Sequence, residues 1–427
     1  MLAILANDSG PPLWYVIEKP FVLVAERFFS ADALARVPAF LATAGLFAGV
    51  SSLPPGAARR RFLFLAAASP LFLLYSAEAR AYGLLATECL ALYLLTLRGA
   101  ESLRRLAAVA LLCAAALYTH YLALFAAGSL VLVALAEKRT RSALALLAGG
   151  LPFLFWLPAM GAQPRDAVAW MHETPSEFVT GILSALGGGG EVPSPFGPPL
   201  PRPLAVAAVA IALVTAFAIA RLWRTDADVR RAAAFLVFFL GSVVFASLAR
   251  PVAFAGRTEM AILPVWLWIV ALAGERSRAV RIASLATVGV AILSCAFLLA
   301  PHRERPASAL VLENIERMAR PGDALVAGAH FYLPARLDAD RGRLRIPVLP
   351  FPVDQGAHPG WSVPVRLRPE DVAAVEAALA RSAPGSRVYF ELPPSYAGAL
   401  HRLLDSRGVV SEIVRTPEVV LLSWSRR

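Results

Sequence analysis

The chain has 427 residues, of which 58% are hydrophobic and 17% are charged, with a mean hydropathy of +0.62 and a net charge of +11. Soluble globular domains have about 45–50% apolar and about 25% charged residues, so the composition excludes a purely soluble enzyme and a disordered chain. It predicts a polytopic membrane protein. The basic residues lie between apolar spans, which indicates membrane orientation and no nucleic-acid partner.

The first predicted element follows Gly10-Pro11-Pro12. Residues 13–29 are mostly apolar, but Glu18, Lys19 and Glu26 interrupt the run. An apolar helix with charges along its length is typical of the membrane interface rather than of a crossing. We therefore expect an interfacial juxtamembrane helix here.

Apolar segments of membrane-spanning character follow. A membrane helix needs about 20 mostly apolar residues, and shorter ones borrow flanking residues or tilt. We expect about ten spans, at residues 33–53, 62–76, 81–97, 106–119, 121–136, 144–160, 204–222, 232–248, 258–273 and 280–299.

Two long apolar stretches are expected to be hairpins. One lies between Arg61 and Arg98, and the other lies between Arg105 and Lys138. At a rise of about 1.5 Å per residue, each is far longer than one crossing of a core about 30 Å thick. Both begin and end at basic clusters, so each should return to the side it left. The expected tips are residues 78–80 and 119–121.

The loops between the predicted spans alternate in charge. Loops on one side hold sixteen basic residues, and loops on the other side hold five. Basic loops remain in the cytoplasm. Both termini are therefore expected outside the cytoplasm, with the protein in a bacterial inner membrane.

Residues 161–203 are expected to form a long extracytoplasmic loop. They contain Gly187–Gly190 and a Pro-rich run. No Lys-Ser or Lys-Thr follows the glycines, so a phosphate-binding loop is not indicated. The glycine run is expected to be a flexible hinge.

The composition changes near Arg303. Residues 303–427 predict a small extracytoplasmic α/β domain after a transmembrane domain of residues 1–302. The domain carries no dinucleotide-binding fingerprint. We therefore expect it to have a binding or shielding role rather than a cofactor-dependent one. Its expected elements are helices at 306–320, 369–382 and 394–407, strands at 324–329 and 387–392, and two strands within 409–424 around Pro417.

Ionisable residues near the outer hairpin tips are the candidates for chemistry, because such residues are costly near a membrane. Two arginines at one membrane surface favour a phosphate, since a guanidinium binds it through two parallel hydrogen bonds. We assign general-base catalysis to Asp8 and substrate binding to the other candidates. The sets expected to converge are Asp8, then Glu78, Arg80 and Tyr82, then His120 and Tyr121, and then Arg257 and Glu259.

Each candidate also has a purely structural interpretation. Glu78 and Arg80 can form an interfacial ion pair with extended side chains. His120 can be a hydrogen-bonded packing residue, and the tyrosines can belong to an interfacial aromatic belt. Arg257 can be an outward anchor.

Five segments occur in order along the chain. Residues 8–15 read Asp-Ser-Gly-Pro-Pro-Leu-Trp-Tyr, and residues 75–84 read Tyr-Ser-Ala-Glu-Ala-Arg-Ala-Tyr-Gly-Leu. Arg36 lies between them, and residues 119–121 and 256–264 follow. In this order they resemble the GT-C membrane glycosyltransferases, which include bacterial relatives of protein O-mannosyltransferases and lipid A aminoarabinose transferases. That family has Asp-x-His-Pro-Pro-Leu-Tyr-Tyr at the position of residues 8–15. It has Tyr-Ser-Gln-Glu-Ala-Arg-x-Tyr-Ala-Leu at the position of residues 75–84.

The resemblance implies a GT-C-like fold and a glycosyltransferase of hexosyltransferase type. It implies a polyprenyl-phosphate sugar as donor and an extracytoplasmic acceptor, with the site at the surface of the lipid bilayer. Departure of the donor's phosphate develops negative charge, which Arg80, Arg257 or a bound divalent cation would stabilise. An acidic residue would deprotonate the acceptor hydroxyl.

Two features of that family have no counterpart here. Gly10 stands where the family has histidine, which removes one candidate metal ligand. A further first span and a Trp-x-Asp-Glu motif with the usual catalytic base precede the Pro-Pro segment in relatives. The sequence therefore predicts either a truncated chain or a degenerate member of that family, and loss of the usual base would lower or abolish activity.

Two other functional classes remain open from the sequence. A transporter or lipid flippase often has internal repeats and charged or broken spans, and we find neither pattern. A non-catalytic membrane anchor would present the C-terminal domain to a partner in the cell envelope and would not need the residues at the tips.

Overall fold

The structure, a computed structural model, describes residues 10–28, 34–162, 175–190, 200–249, 252, 254–299, 307–353, 368–416 and 419–426. The described residues fall into two compact units. One contains residues up to Leu299 and is called the membrane unit. The other begins at Ala307 and is called the C-terminal unit.

The membrane unit is built of helices. The α-helices are α1 (Leu13–Phe28), α2 (Val37–Ser51), α3 (Ala57–Ala68), α4 (Pro70–Ser76), α5 (Tyr82–Leu97), α6 (Leu103–Thr119), α7 (Leu122–Ala136), α8 (Thr140–Gly150), α9 (Leu157–Ala162), α10 (Pro175–Leu186), α11 (Arg202–Ala220), α12 (Ala227–Ser247), α13 (Leu263–Arg276) and α14 (Arg278–Leu299). Single 3₁₀ segments at Leu151–Trp156 and Thr258–Ala261 precede α9 and α13.

Several of these helices suit a lipid bilayer. Within the described residues, four helical stretches are long and apolar enough to cross a membrane, at residues 140–161, 202–220, 227–247 and 278–298. Shorter apolar helices accompany them, α2, α5, α7 and α10 among them. The unit therefore has the character of a membrane-embedded protein. The expected number of about ten spans stays a prediction.

Both expected hairpins are confirmed. Helices α3 and α4 lead to Ser76, the chain turns through residues 77–81, and α5 begins at Tyr82. Likewise α6 ends at Thr119 and α7 begins at Leu122. The segment after Gly10-Pro11-Pro12 is helical, as expected, and forms α1.

Arginines of the basic loops lie against the carboxyl ends of other helices. A cation is favourable there because the last carbonyls of a helix lack intrahelical partners and carry the negative end of the helix dipole. Hydrogen bonds of this kind run from Arg59 to the carbonyls of Ser51 and Leu53 and from Arg105 to Leu94 and Leu95. Arg61 instead donates to the carbonyl of Ala271, inside α13.

The glycine run lies in a tightly packed part of the membrane unit. Residues Gly187–Gly190 are buried and directly follow α10, which lies within the segment expected to be an outer loop. A Cβ on Gly187 would collide with the carbonyl of Ala208 on α11, and one on Gly188 would collide with the carbonyl of Thr287 on α14. The prediction of a flexible hinge is therefore wrong. The glycines allow close backbone approach.

The C-terminal unit is a five-stranded mixed sheet with helices on both faces. Its elements are α15 (Ala307–Met318), β1 (Ala324–Gly328), α16 (Ala329–Asp340), β2 (Val348–Phe351), α17 (Pro369–Arg381), β3 (Arg387–Leu392), α18 (Pro394–Asp405), β4 (Val409–Arg415) and β5 (Val420–Ser425). The strand order is β2-β1-β3-β5-β4. Strand β1 is parallel to β2 and β3, whereas β5 is antiparallel to β3 and β4.

Alternation along the strands divides the core of this unit into two layers. Leu325 and Tyr389 face α15 and α16 on one side. Val326 and Phe390 face α17 and α18 on the other side. The predicted α/β character is confirmed, and so are the three expected helices and four strands. Helix α16 and strand β2 were not predicted.

Candidate functional site

The turn between α4 and α5 carries the first pair of candidates. Arg80 Nε lies 3.0 Å from Glu78 Oε1, and the two side chains are 25% and 35% exposed. The backbone N–H of Arg80 also donates to the carbonyl of Glu78, at 2.7 Å. The expected ion pair is therefore present at the tip of the first hairpin, and its location at the membrane interface stays a prediction.

Aromatic rings connect this tip to the second hairpin. The ring of Tyr82, the first residue of α5, lies 5.2 Å from the ring of His120, between centroids. The ring of Tyr75, at the end of α4, lies 4.6 Å from Tyr82 on the other hairpin arm. We call Tyr75, Tyr82 and His120 the aromatic cluster.

Arg257 joins the aromatic cluster from a distant part of the sequence. Its guanidinium carbon lies 5.9 Å from the centroid of the Tyr82 ring and 5.1 Å from that of Phe254. A cation over an aromatic face is attracted by the negative charge of the ring face. Glu259 is fully buried in the 3₁₀ segment that follows Arg257.

Tyr75 fixes the loop that carries Arg257. The Tyr75 hydroxyl donates a hydrogen bond of 2.5 Å to the carbonyl of Gly256, a residue 181 positions away in the sequence. Tyr75 is 2% exposed, so this bond is protected from water. Thr258 Oγ1 accepts a second bond from the backbone N–H of Phe254, at 2.9 Å.

The remaining candidates are placed differently. Tyr121 contacts another neighbourhood: its hydroxyl accepts a 3.1 Å hydrogen bond from Trp156 Nε1, and its ring lies 6.3 Å from Phe153. Asp8 lies outside the described residues. The segment after it reaches the first hairpin tip, because Trp14 of α1 packs against Ala81.

An apolar cavity of about 560 Å³ opens beside the Glu78 turn. Its volume is within the range of small-molecule sites, about 300–1,000 Å³. Arg36 and Glu78 are its charged residues, and Arg36 is exposed with no ion-pair partner among the described residues. The apolar lining consists of Ala35, Pro70, Leu73, Leu74, Ala77, Ala79 and Leu298.

The acidic candidates among the described residues lie apart from one another or are engaged. In the described part of the chain, no three His, Cys, Asp or Glu side chains are grouped so that they could hold a metal ion. Glu78 is engaged with Arg80, and Glu259 is buried. A divalent cation therefore stays a prediction, because Asp8 lies outside the described residues.

Sequence reasoning assigned no site role to Tyr75, Trp156 or Arg36. The motif around Glu78 includes Tyr75, and the family order includes Arg36, so both were visible as landmarks. No sequence pattern points to Trp156, because its contact with Tyr121 joins residues that are 35 positions apart.

Replacing Tyr75 by phenylalanine is expected to lower the thermal stability of the protein in detergent. The substitution removes one buried hydrogen bond, which contributes about 1 kcal/mol, and leaves the Gly256 carbonyl unpaired. Tyr118→Phe is the matched control, because its hydroxyl donates to the carbonyl of Pro152 from an exposed position. Equal thermal shifts in the two variants would contradict the structural role of Tyr75.

No protein-family model matches the chain, and no curated protein matches its sequence. Solved structures with a similar fold include crystal structures of ArnT from Cupriavidus metallidurans, in the apo state and bound to undecaprenyl phosphate. The identities are 13% and 12%, and the TM-score is 0.56 in both cases. The alignments cover 98% and 97% of this chain and 88% of the ArnT chain. The chain therefore has an ArnT-like GT-C fold, with a helical membrane unit and a small C-terminal sheet.

Proposed function

We propose that this protein is a membrane glycosyltransferase whose donor is a sugar carried on a polyprenyl phosphate. The observation that carries the proposal is the cavity beside the Glu78 turn, which combines apolar walls with the guanidinium of Arg36. A similar fold has been crystallised with undecaprenyl phosphate, which supports the same class of ligand.

The cavity has the two properties that a prenyl phosphate requires. Leucine, proline and alanine side chains line it, and apolar surface of this kind favours a hydrocarbon chain over water by about 25 cal/mol per Å² buried. Arg36 supplies a planar cation that can donate two parallel hydrogen bonds to phosphate oxygens. The lipid tail would lie along the walls, with the phosphate at Arg36.

The aromatic cluster would lie on the sugar side of this ligand. In the transfer, the acceptor oxygen bonds to the anomeric carbon while the bond from that carbon to the phosphate oxygen breaks. Polyprenyl phosphate leaves with the negative charge, which a preorganised guanidinium stabilises. The acceptor hydroxyl proton passes to a base, a role that we propose for Asp8.

The orientation of the protein belongs to the proposal. The sixteen basic residues on one side of the predicted spans support an inner-membrane protein with its acceptor outside the cytoplasm. We propose a hexose as the transferred sugar, which is what the resemblance to protein O-mannosyltransferase relatives implies. A lipid-carried donor suits this location, because nucleotide sugars are confined to the cytoplasm.

Arg36→Ala is expected to weaken the binding of undecaprenyl phosphate about tenfold, the effect of losing one charge-assisted hydrogen bond of about 1.5 kcal/mol. Binding of undecaprenol, which lacks the phosphate, should be unchanged. The measurement is a titration of purified protein in detergent by microscale thermophoresis, which requires no sugar transfer.

Two further variants distinguish the apolar wall of the cavity from its arginine and from arginines elsewhere. Leu74→Trp fills the apolar wall and should weaken binding of both lipids. Arg202→Ala is the control, because Arg202 is exposed at the start of α11, outside the cavity lining. If Arg36→Ala and Arg202→Ala reduced the affinity equally, the phosphate would not be held at Arg36 and the proposal would be wrong.

A further inference from the structure

Glu88 is an acidic residue in the middle of an apolar helix. It is 5% exposed, and no other residue of α5 is charged. Ionisable side chains inside membrane helices are costly and are retained mainly for function. Glu88 belongs to none of the motifs in the sequence and does not line the cavity at Arg36.

The partner of Glu88 is at the end of α6. Glu88 Oε1 lies 3.1 Å from the hydroxyl oxygen of Thr119, the last residue of that helix, which is 1% exposed. The second carboxyl oxygen, Oε2, is buried and has no hydrogen-bond partner among the described residues. A charged carboxylate in such a place would carry a large desolvation cost.

The protons available at Thr119 indicate which group donates. Thr119 Oγ1 lies 3.0 Å from the carbonyl oxygen of Ala115, one turn earlier. A carbonyl only accepts, and a hydroxyl has one hydrogen to give. Four other buried hydroxyls of the membrane unit donate to the carbonyl four residues earlier, namely those of Thr43, Ser129, Thr215 and Thr287. If Thr119 does the same, its contact with Glu88 requires a proton on the carboxyl group.

The contact between Glu88 and Thr119 lies close to the aromatic cluster along both helices. Thr119 precedes His120, and Tyr82 lies six residues before Glu88, about 9 Å along the axis of α5. Helix α5 therefore meets the end of α6 at two levels, through the rings of Tyr82 and His120 and through Glu88 and Thr119. Rotation of the end of α6 would break both contacts.

We propose that Glu88 is a positioning residue: as a neutral carboxylic acid it donates a hydrogen bond to Thr119 and thereby holds His120 against Tyr82. Its effect on ligand binding rests on the proposed function. The hydrogen bond itself does not, so the two ideas can fail separately.

The protonated carboxyl is tested first, by infrared difference spectroscopy of the full chain. The spectrum of the wild type minus that of Glu88→Gln should contain a positive carbonyl-stretch band of a protonated carboxyl. Thr119→Val should shift this band, because the acid loses its acceptor. A difference spectrum with only carboxylate bands would overturn the proposal.

The positioning role is tested by affinity for undecaprenyl phosphate. Glu88→Leu and Thr119→Val should each weaken binding about three- to tenfold, and the double variant should be no weaker than either single one, since both remove the same bond. Glu88→Gln, whose amide still donates, should recover most of the affinity lost in Glu88→Leu. Thr215→Val is the control, because its hydroxyl bonds only within its own helix.

Each outcome has one meaning. Additive losses in the double variant, or equal losses in Glu88→Gln and Glu88→Leu, would overturn the positioning role. If wild-type protein does not bind undecaprenyl phosphate, the proposed function fails, and the same double-mutant comparison is made on thermal unfolding. The losses of thermal stability in the two single variants should again be non-additive. Additive losses would show that Glu88 and Thr119 do not share a hydrogen bond.

Discussion

Gly188→Val is expected to prevent the protein from accumulating as a folded, monodisperse species in detergent. Gly188 has a φ of +95°, a backbone conformation that is a genuine outlier for a β-branched residue. Its Cβ would collide with the carbonyl of Thr287 on α14, and backbone cannot move aside as a flexible side chain can. Backbone strain and overpacking each cost about 1–3 kcal/mol, a large fraction of the 5–15 kcal/mol by which proteins are typically stable.

Size-exclusion chromatography and thermal unfolding of the purified variant test this expectation. Gly289→Val is the matched control, because Gly289 lies on α14 with open space where its Cβ would be placed. We expect the control to be at least as stable as the wild type, because valine has a higher helix propensity than glycine. A Gly188→Val protein as stable as the control would show that the glycine run is not closely packed.

The stability of the C-terminal unit is expected to fall as the pH rises, because of Glu391. This residue lies on β3 between Ala327 of β1 and Leu421 of β5 and is fully buried. Neither carboxyl oxygen has a hydrogen-bond partner in the described part of the chain. Burial raises the pKa of Glu391 well above its ordinary value of 4.5.

The sign of the effect follows from proton uptake. A raised pKa in the folded state means that folded protein keeps a proton that unfolded protein releases above about pH 4.5. The stabilisation is complete below that pH and is lost as the pH rises toward the folded pKa. The slope is about 1.4 kcal/mol for each pH unit over which only the folded state remains protonated.

Glu391→Gln should abolish this slope, because the amide does not ionise. Hydrogen exchange of the β3 and β5 amides in the full chain, corrected for intrinsic rates and expressed as an opening free energy, measures it locally. Glu412→Gln on β4 is the control: Glu412 pairs with Arg415 at the exposed edge, where ion pairs contribute little. A slope that persists in Glu391→Gln would show that another group is responsible.

The hairpins of the membrane unit could be derived from the sequence alone. The bilayer limits the length of one crossing, so a 36-residue apolar stretch between Arg61 and Arg98 must turn back. The turn occurs at residues 77–81, as expected. The orientation and the number of spans depend on the membrane and remain predictions.

The C-terminal unit was predicted where local patterns are strong. Strand β3 contains a short apolar run of good strand formers, and helix α17 has helical periodicity. Helix α16 was missed because it contains Pro334, which usually ends a helix. Strand β2 was missed because it has four residues, one of them Pro350, and is stable only as the edge of this sheet.

The candidate site was predicted in part. The sequence identified Tyr82, His120 and Arg257, and the structure brings these three together. Tyr121 instead packs with Trp156. The functional roles of these residues stay predictions.

The sequence by itself determined that this is a helical membrane protein with a separate α/β unit, because bilayer thickness and strand alternation act on neighbouring residues. Only the tertiary structure decided which polar groups meet. The Tyr75–Gly256 bond, the Glu88–Thr119 pair and the cavity at Arg36 join residues that are far apart in the chain. Such contacts are set by helix packing, which depends on the shapes of many side chains at once and leaves no periodic signal in the sequence.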